Sequence, residues 1–283
     1  MTASVAVVTI ARGRHEHLAG QVAGLRRQTR SAEHYVVVSM GDPALADVVA
    51  AHAPAEWDVH HAGLPVRDGR LPLAAARNLG AATAIDAGAE HLVFLDVDCV
   101  PDRTLVERYA AVLTAQPGSG GPVVLCGGVA YESAPGPGPR RLRHHPARPA
   151  LAPDRVEVVD DVTLFWSLSF AVSARDLTSL GGFDEAYVGY GAEDTDVGQR
   201  LRRAGGRLLF VGGAGAVHQY HPTQDPPVQH VADIVTNANT FADRWGWWPM
   251  QDWLERFREL GLADRGLDGR WVTTGRRVDP PVG

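Results

Sequence analysis

Short apolar segments alternate with amphipathic segments along the first two-thirds of the chain. The apolar segments are rich in β-branched residues, which is typical of strands buried on both faces of a sheet. The segments between them repeat apolar residues at helical spacing, as Leu18, Val22 and Leu25 do. This alternation predicts an α/β fold with a mostly parallel sheet flanked by helices. We expect strands over residues 5–10, 35–39, 57–61, 91–95, 123–126, 164–172 and 207–211, and helices over 18–25, 73–87, 105–113 and 193–204, with a short helix ending at residue 50.

Two segments depart from this alternation. Residues 133–153 are rich in proline and glycine, which disfavour helix and strand, so we expect a long flexible loop there. Beyond residue 222 the pattern predicts two helices on either side of residues 245–249. We therefore expect one domain over residues 1–222 and a helical extension over 223–283. The loop contains four arginines that could meet a phosphate or simply face solvent: Arg140, Arg141, Arg143 and Arg148.

Composition narrows the class of protein. The chain has 283 residues, of which 45% are hydrophobic, and this is enough for one large domain with a substantial core. The net charge of −6 argues against a dedicated nucleic-acid binder. Two cysteines are too few for a disulfide framework or a zinc cluster. Because the N-terminus lacks a signal-peptide pattern and no apolar segment is long enough to span a bilayer, we expect a cytoplasmic protein without a transmembrane segment.

Two aspartates follow the apolar segment 91–95 directly. Ligands of open α/β sheets bind beyond the carboxyl ends of the strands. In an extended segment Asp96 and Asp98 point to the same side, and two carboxylates there suit Mg²⁺ or Mn²⁺. The alternative is that Asp98 or Asp102 caps the helix that follows.

Acidic residues also open the helix predicted from residue 193. The helix dipole favours the ionised form of Glu193 and Asp194, whereas their mutual repulsion raises the pKa of one of them. Either carboxylate could accept a proton from a substrate. Acids are common at helix N-termini in any case, and Asp196 could simply pair with Arg200 one turn later.

Two histidines follow the last predicted strand. Imidazole nitrogen is a ligand for transition-metal ions, so His218 together with Asp98 could form a metal site, with His221 as the alternative histidine. A single histidine is more often a hydrogen-bonded residue than a ligand, and the prediction therefore depends on the aspartate being close.

Together these motifs resemble the GT-A fold glycosyltransferases of the family 2 type, with a galactosyltransferase-like C-terminal segment. The resemblance extends from about residue 4 to residue 222. It is carried by the strand at 5–10 with its polar turn, AARNLG at 75–80, FLDVD at 94–98, and GGFDE at 181–185 leading to EDTD at 193–196. It implies a Rossmann-like GT-A domain over residues 1–222 that binds a nucleotide sugar and carries the catalytic residues.

The resemblance also implies a reaction. A family member of this type would move a sugar from a nucleoside-diphosphate sugar, UDP-linked by preference, to an acceptor hydroxyl with inversion. It would use Mn²⁺ or Mg²⁺, and the acceptor would be a glycan, a lipid-linked intermediate or a small molecule. The sugar, the acceptor and the oligomeric state stay open.

The resemblance assigns roles to individual residues. Asp98 and His218 would ligate the metal, with His221 in reserve, and Asp194 would be the general base, assisted by Glu193. The donor would contact Ile10, Arg12, Asp42, Arg77, Asn78, Asp96 and Val97, and the acceptor would contact Trp166, Tyr190 and Gly191.

The chain departs from the family pattern in two loops. After the first strand it has TIARGR at 9–14 in place of the usual P-x-Y-N, and after the second it has SMGD at 39–42 in place of D-D or D-G-S. The identity of the base is therefore open, although Asp42 could reach a uracil. Two alternatives are a sugar nucleotidyltransferase, for which the first loop has few glycines, and a non-catalytic nucleotide-sugar-binding protein. No G-x-G-x-x-G follows the first strand, which argues against a dinucleotide-dependent dehydrogenase.

Overall fold

The computed structural model of the chain describes residues 3–66, 68–116, 120–136, 141–148 and 150–276. Its main feature is a 10-stranded sheet. The strands of this sheet are β1 (Val5–Ala11), β2 (His34–Met40), β3 (Asp58–Leu64), β4 (His91–Leu95), β5 (Cys99–Pro101), β6 (Val123–Glu132), β7 (Leu142–His144), β8 (Val156–Val159), β9 (Ser169–Ser173) and β10 (Arg207–His218).

The helices lie between these strands and beyond them. They are α1 (His15–Leu25), α2 (Leu45–His52), α3 (Leu73–Asp86), α4 (Leu105–Thr114), α5 (Ala174–Leu180), α6 (Glu193–Arg203), α7 (Val231–Trp245) and α8 (Gln251–Glu259), with short 3₁₀ turns at Val162–Leu164 and Val228–His230. A small hairpin of β11 (Ala263–Arg265) and β12 (Trp271–Thr273) follows α8.

The sheet runs in the order β3-β2-β1-β4-β9-β6-β10-β5, with β7 and β8 paired to β6 and β10. Strands β3, β2, β1 and β4 are parallel, as are β6 and β10, whereas β9 lies antiparallel between β4 and β6. The α/β fold with a mostly parallel sheet is therefore confirmed. The loops after β1, β2 and β4 open at one edge, where ligands of such sheets bind.

Both faces of the sheet are buried, which explains why the central strands are apolar along their whole length. Side chains alternate between two cores: Val5 and Val7 of β1 pack on one face, and Ala6 and Val8 on the other. The alanine-rich helix α3 packs very closely on the second face. A Cβ at Gly80 would lie 2.4 Å from Cγ1 of Val8, so this position requires glycine.

The structure corrects several expected boundaries. The strand expected over 164–172 begins only at Ser169, because residues 162–164 form a 3₁₀ turn. The segment 133–153 is not entirely loop, since β7 lies within it; Arg140 falls outside the described residues. The extension beyond residue 222 contains the two expected helices and also the β11–β12 hairpin. The short elements β5, β8 and α5 were not expected, and β6 and β10 are longer than predicted.

Candidate active site

The two aspartates lie in a turn at the carboxyl end of β4. The turn is closed by a hydrogen bond from Cys99 N–H to the carbonyl of Asp96 (2.8 Å), and Asp96 N–H donates to Leu168 (2.9 Å). The next residues form β5, which pairs antiparallel with the end of β10 so that Cys99 faces His218. This pairing is what brings the histidine segment to Asp98.

A buried glutamine is hydrogen-bonded to the backbone of this turn. Gln21 of α1 is fully buried, and its Nε2 donates to the carbonyls of Asp96 (2.7 Å) and Cys99 (3.2 Å). Its Oε1 accepts from the hydroxyls of Thr9 (2.8 Å) and Tyr35 (2.9 Å). Gln21 was not among the residues expected at the site, because nothing in the local pattern of α1 links it to residues 75 positions away.

Asp98, His218 and His221 form a compact cluster whose potential ligand atoms all lie within 4.8 Å of one another. His218 Nε2 lies 3.4 Å from Asp98 Oδ1, and His221 Nε2 lies 3.3 Å from Asp98 Oδ2. Burial raises the pKa of Asp98, but the two histidines and Arg14, 3.8 Å away, outweigh it and hold this pKa below its ordinary value. Both histidines, and not only one of them, therefore face the aspartate.

The hydrogen bonds of the two rings indicate what this cluster can bind. Nδ1 of His218 lies 3.1 Å from the carbonyl of Gln219, and Nδ1 of His221 lies 3.2 Å from the carbonyl of Pro222. A carbonyl only accepts, so each Nδ1 carries a proton, and Nε2 is the ring nitrogen that is left to face the carboxylate. A cation between these acceptors satisfies all of them, and a histidine whose second nitrogen donates to a carbonyl is the usual form of a metal ligand. The residues fit a divalent metal ion, and two imidazoles favour a transition metal over Mg²⁺.

Arg77 connects the aspartate turn with the acids of α6. It is 5% exposed; its Nη1 lies 3.0 Å from Glu193 Oε1 and its Nη2 3.4 Å from Asp96 Oδ1. Burial raises the pKa of Asp96 to about 6, although the charge of Arg77 opposes this shift. Glu193 Oε2 is buried, and no described residue donates to it. The two acidic motifs therefore share one cation and are neighbours in the structure.

The environment of Asp194 strongly raises the pKa of its carboxyl. Burial, followed by the charge of Glu193, raises its pKa to about 7, while Arg77 and two hydrogen bonds from Thr195 oppose the shift. A carboxylate whose pKa lies near neutrality is well suited to take a proton.

Asp196, in contrast, is a structural residue. It is fully buried and accepts hydrogen bonds from Arg200 Nε (2.8 Å), Arg244 Nη1 (2.8 Å) and Trp245 Nε1 (2.9 Å). The pairing with Arg200 one turn later, weighed as an alternative for this motif, is present. Arg244 and Trp245 belong to α7, so Asp196 fastens the C-terminal extension to the acid-bearing helix. Sequence analysis did not anticipate this link.

Four of the residues expected to contact the donor lie at or near the carboxyl ends of β1, β2 and β4. Asp42 lies at the carboxyl end of β2, where its Oδ2 accepts from Gly13 N–H (2.7 Å) and His15 Nε2 (2.9 Å). Burial raises the pKa of Asp42, but His15 and Gly13 outweigh it and the pKa is lowered. Ile10 is next to the last residue of β1, and Arg12 is exposed in the loop that follows this strand. Val97 is buried in the aspartate turn.

Asn78 of α3 is hydrogen-bonded to the turn at residues 181–185. Its Nδ2 donates to the carbonyl of Phe183 (2.8 Å) and to Glu185 Oε1 (3.0 Å), and its Oδ1 accepts from Phe183 N–H (2.8 Å). These contacts hold the turn at residues 181–185 and engage both hydrogens of its amide group. Asn78 therefore positions the turn that precedes α6, and its expected contact with the nucleotide stays a prediction.

Tyr190 and Gly191 lie in the segment just before α6 and its acid pair. The ring of Tyr190 stacks on His230 at 4.7 Å and is 39% exposed, and burial together with the charges of Asp194 and Glu193 raises its pKa. Gly191 has a φ of 96°, and a Cβ there would lie 2.9 Å from Met250 Sδ. Residues of the C-terminal extension, His230 and Met250, therefore pack against Tyr190 and Gly191.

Trp166 lies in the segment just before β9. Its ring covers the guanidinium of Arg148, whose central carbon is 4.4 Å from the ring centroid. Arg148 is 4% exposed and donates to the carbonyl of Leu164, so it is a buried anchor of the long loop and not a solvated residue.

Part of the chain matches known protein families. Residues 148–223 match a family model described as the N-terminal domain of galactosyltransferase. N-acetylglucosaminyl-diphospho-decaprenol L-rhamnosyltransferase of Mycobacterium tuberculosis is 42% identical over 72 residues, which are 24% of this chain and 23% of that protein. Validoxylamine A glucosyltransferase of Streptomyces hygroscopicus is 44% identical over 41 residues, 14% of this chain and 10% of that protein. The matches cover less than a quarter of either relative.

Solved structures resemble the fold over most of the chain. Staphylococcus aureus TarS 1-349 has a TM-score of 0.56 at 12% identity, over 85% of this chain and 66% of that one. GalNAc-T7 with UDP, GalNAc and Mn²⁺ has a TM-score of 0.56 at 15% identity, over 91% of this chain and 54% of that one. The TarS complex with UDP has a TM-score of 0.58 at 12% identity, over 91% of this chain and 71% of that one. No helix among the described residues is both long and apolar enough to cross a bilayer. Together, the comparisons show that the fold resembles TarS and GalNAc-T7, and that segments of the chain are similar to parts of named glycosyltransferases.

Proposed function

We propose that this chain is a metal-dependent inverting glycosyltransferase that uses a UDP-linked sugar donor and Asp194 as its general base. The observation that carries the proposal is the position of Arg77. It contacts Asp96 of the aspartate turn and Glu193 of the acid pair at once, so that the candidate metal cluster and the candidate base are neighbours in the structure. Structures of similar fold contain UDP, and one of them contains Mn²⁺, which supports the choice of donor and metal.

The donor would bind at the carboxyl edge of the sheet. Asp98, His218 and His221 would hold Mn²⁺ in preference to Mg²⁺, because two of the three ligands are imidazoles. The ion would offset the negative charge that develops on the departing diphosphate. Asp42 would face the uracil with Oδ1, the oxygen that its contacts to Gly13 and His15 leave unused. Arg12 and Arg14, in the loop between β1 and α1, would lie near the phosphates.

The acceptor would bind on the side of α6. Its hydroxyl would donate its proton to Asp194, whose pKa of about 7 leaves much of it ionised at neutral pH. The buried Oε2 of Glu193 offers an acceptor for a second hydroxyl of the same molecule. Tyr190 would provide a flat surface for a sugar ring, with Trp166 as a second aromatic surface. Attack from the face opposite to the diphosphate inverts the anomeric carbon.

Thermal unfolding with nucleotides provides the first test. We expect UDP with Mn²⁺ to raise the melting temperature of the wild-type chain, and Asp98→Asn to abolish this shift while leaving the unliganded melting temperature nearly unchanged. Asp47→Asn, an exposed residue of α2, is the matched control and should behave as wild type. If no nucleoside diphosphate shifts the wild-type chain with any divalent ion, the proposal is wrong.

A donor screen by mass spectrometry separates an enzyme from a binding protein. An enzyme releases free sugar and UDP slowly from its own UDP-sugar even without an acceptor, whereas a non-catalytic binding protein shows the thermal shift alone. A sugar nucleotidyltransferase would instead form the nucleotide sugar from a sugar phosphate and a nucleoside triphosphate. Turnover in that second assay and not in the first would replace the proposal by this alternative.

A further inference from the structure

A second cluster of potential metal ligands lies away from the candidate active site. It consists of His34, at the start of β2, and Asp58 and His60 in β3, and its potential ligand atoms all lie within 4.8 Å of one another. Asp58 Oδ2 lies 2.6 Å from His34 Nδ1 and 2.9 Å from His60 Nε2. The two histidine side chains are 15% and 30% exposed and the aspartate 54%, so the cluster is open to solvent on one side.

The strand register explains why these three side chains meet. His34 is the direct neighbour of Asp58 in the parallel β2–β3 pair. His60 lies two residues beyond Asp58 and therefore points to the same side of the sheet. The candidate active site lies beyond the other ends of these parallel strands. His34 and Met40 are the first and last residues of β2, and six residues of strand span about 20 Å. The second cluster is thus separate from Asp98, His218 and His221.

The arrangement of donors suits a zinc ion. With both rings neutral, each histidine donates one N–H to the same carboxylate oxygen. If the proton of each ring moves to its other nitrogen, the two freed lone pairs and the carboxylate converge on one point, where a metal ion could bind. Such a set of three, with water in the fourth position, is a common zinc environment, with bonds of about 2.0–2.2 Å. Ligand atoms around tetrahedral zinc are then about 3.4 Å apart, so the contacts at 2.6 and 2.9 Å need to open by less than about 1 Å.

The position in the fold suggests what such an ion would do. Strand β3 ends the main path of the sheet, and its residues are only partly buried or exposed. An edge strand pairs with only one neighbour and leaves a row of N–H and C=O groups unpaired. An ion bound by His34 of β2 and by Asp58 and His60 of β3 would link the edge strand to the sheet.

We propose that His34, Asp58 and His60 form a Zn²⁺ site that fastens β3 to β2, independently of the metal site for sugar transfer. A ligand that binds only the folded state stabilises it, so zinc bound here raises the stability of the chain. Each histidine must offer the lone pair of its ligating nitrogen, so a proton on that nitrogen competes with zinc.

The test uses the full-length chain, freed of metal, with the other cluster disabled by Asp98→Asn and His218→Ala. We expect this background to bind one Zn²⁺ in a titration against a chromophoric chelator, to show the visible absorption of tetrahedral cobalt when Co²⁺ replaces zinc, and to melt at a higher temperature with Zn²⁺. Loss of a group that only supports a ligand weakens metal binding about 10–100-fold, so loss of the ligand in His60→Ala should weaken it at least about tenfold.

Two further variants make the result decisive. His61→Ala is the matched control, because this neighbouring histidine points to the opposite face of β3 and its loss should leave zinc binding unchanged. Asp58→Asn preserves the shape of the site while removing its charge, and should also weaken zinc binding. It provides the result if His60→Ala is poorly folded. The proposal is overturned if the background binds no zinc, or if His60→Ala and Asp58→Asn both bind it as tightly as His61→Ala. Since none of these measurements involves sugar transfer, failure here leaves the proposed enzyme function untouched.

Discussion

Asp194→Asn should remove the proposed proton transfer without disrupting the fold. The change keeps the size of the side chain and the oxygen that accepts from Thr195, and removes only the charge. An amide cannot take a proton from the acceptor hydroxyl, and loss of a general base typically costs about 10²–10⁴-fold in rate. We therefore expect turnover to fall by that factor, while the thermal shift with UDP and Mn²⁺ is preserved.

The same substitution should stabilise the chain, because Asp194 is held in an unfavourable environment. Its pKa rises from 3.8 in an unperturbed carboxyl to about 7 in the folded protein. Between these values the folded state binds the proton more tightly than the unfolded state, so the contribution of Asp194 to stability falls as the pH rises through this range. A shift of about three units corresponds to at most about 4 kcal/mol, at 1.36 kcal/mol per unit. We expect Asp194→Asn to be more stable than wild type at pH 8, with the difference shrinking toward pH 4, in urea unfolding.

The pH dependence of wild-type turnover provides the internal control. Ionised Asp194 is the active form, so the rate should rise about tenfold per pH unit below 7 and level off above it. Glu193→Gln removes the charge that repels Asp194 and should move the midpoint to lower pH. Thr195→Val removes the hydroxyl that lies 3.3 Å from Asp194 and should move the midpoint to higher pH. An Asp194→Asn variant that still transfers sugar, or one that is less stable than wild type at pH 8, refutes this reasoning.

Three substitutions test the residues that support the site. Gln21→Leu leaves buried carbonyls and hydroxyls without a partner, which should lower the free energy of unfolding by about 1–3 kcal/mol for each. It should also weaken Mn²⁺-dependent UDP binding in calorimetry. Unchanged binding at lowered stability would mean that Gln21 has only a structural role. Arg77→Gln leaves two carboxylates without their shared cation, so the free energy of unfolding should fall by about 3–5 kcal/mol at pH 7. The loss should be smaller at pH 5, because Asp96, with a pKa of about 6, takes up a proton there; equal losses at both pH values would contradict this. Asp196→Asn breaks the buried link to Arg244 and should cost about 3–5 kcal/mol and speed proteolysis of α7, whereas wild-type protease resistance would show that the extension is held by other contacts.

The sequence by itself determined the elements whose signal is local. Strands β1, β2 and β4 are buried on both faces, so an unbroken apolar run identifies them, and helices such as α4 and α6 repeat apolar residues at their own period. The aspartates after β4 and the acids that open α6 could be found for the same reason. They mark the ends of such elements, where a polar side chain in an otherwise apolar pattern stands out.

Only the tertiary structure decided how these residues divide their tasks. Glu193, Asp194 and Asp196 are equivalent acids in the sequence, yet Asp196 is enclosed by Arg244 and Trp245 of α7, which lie about fifty positions away in the chain. Gln21 supports the aspartate turn, and His221 joins His218 at Asp98, through contacts that no local pattern records. The antiparallel course of β9 and the short strand β5 are likewise set by their neighbours in the sheet. Burial and hydrogen bonding depend on which distant segments meet, and periodicity along the chain carries no information about that.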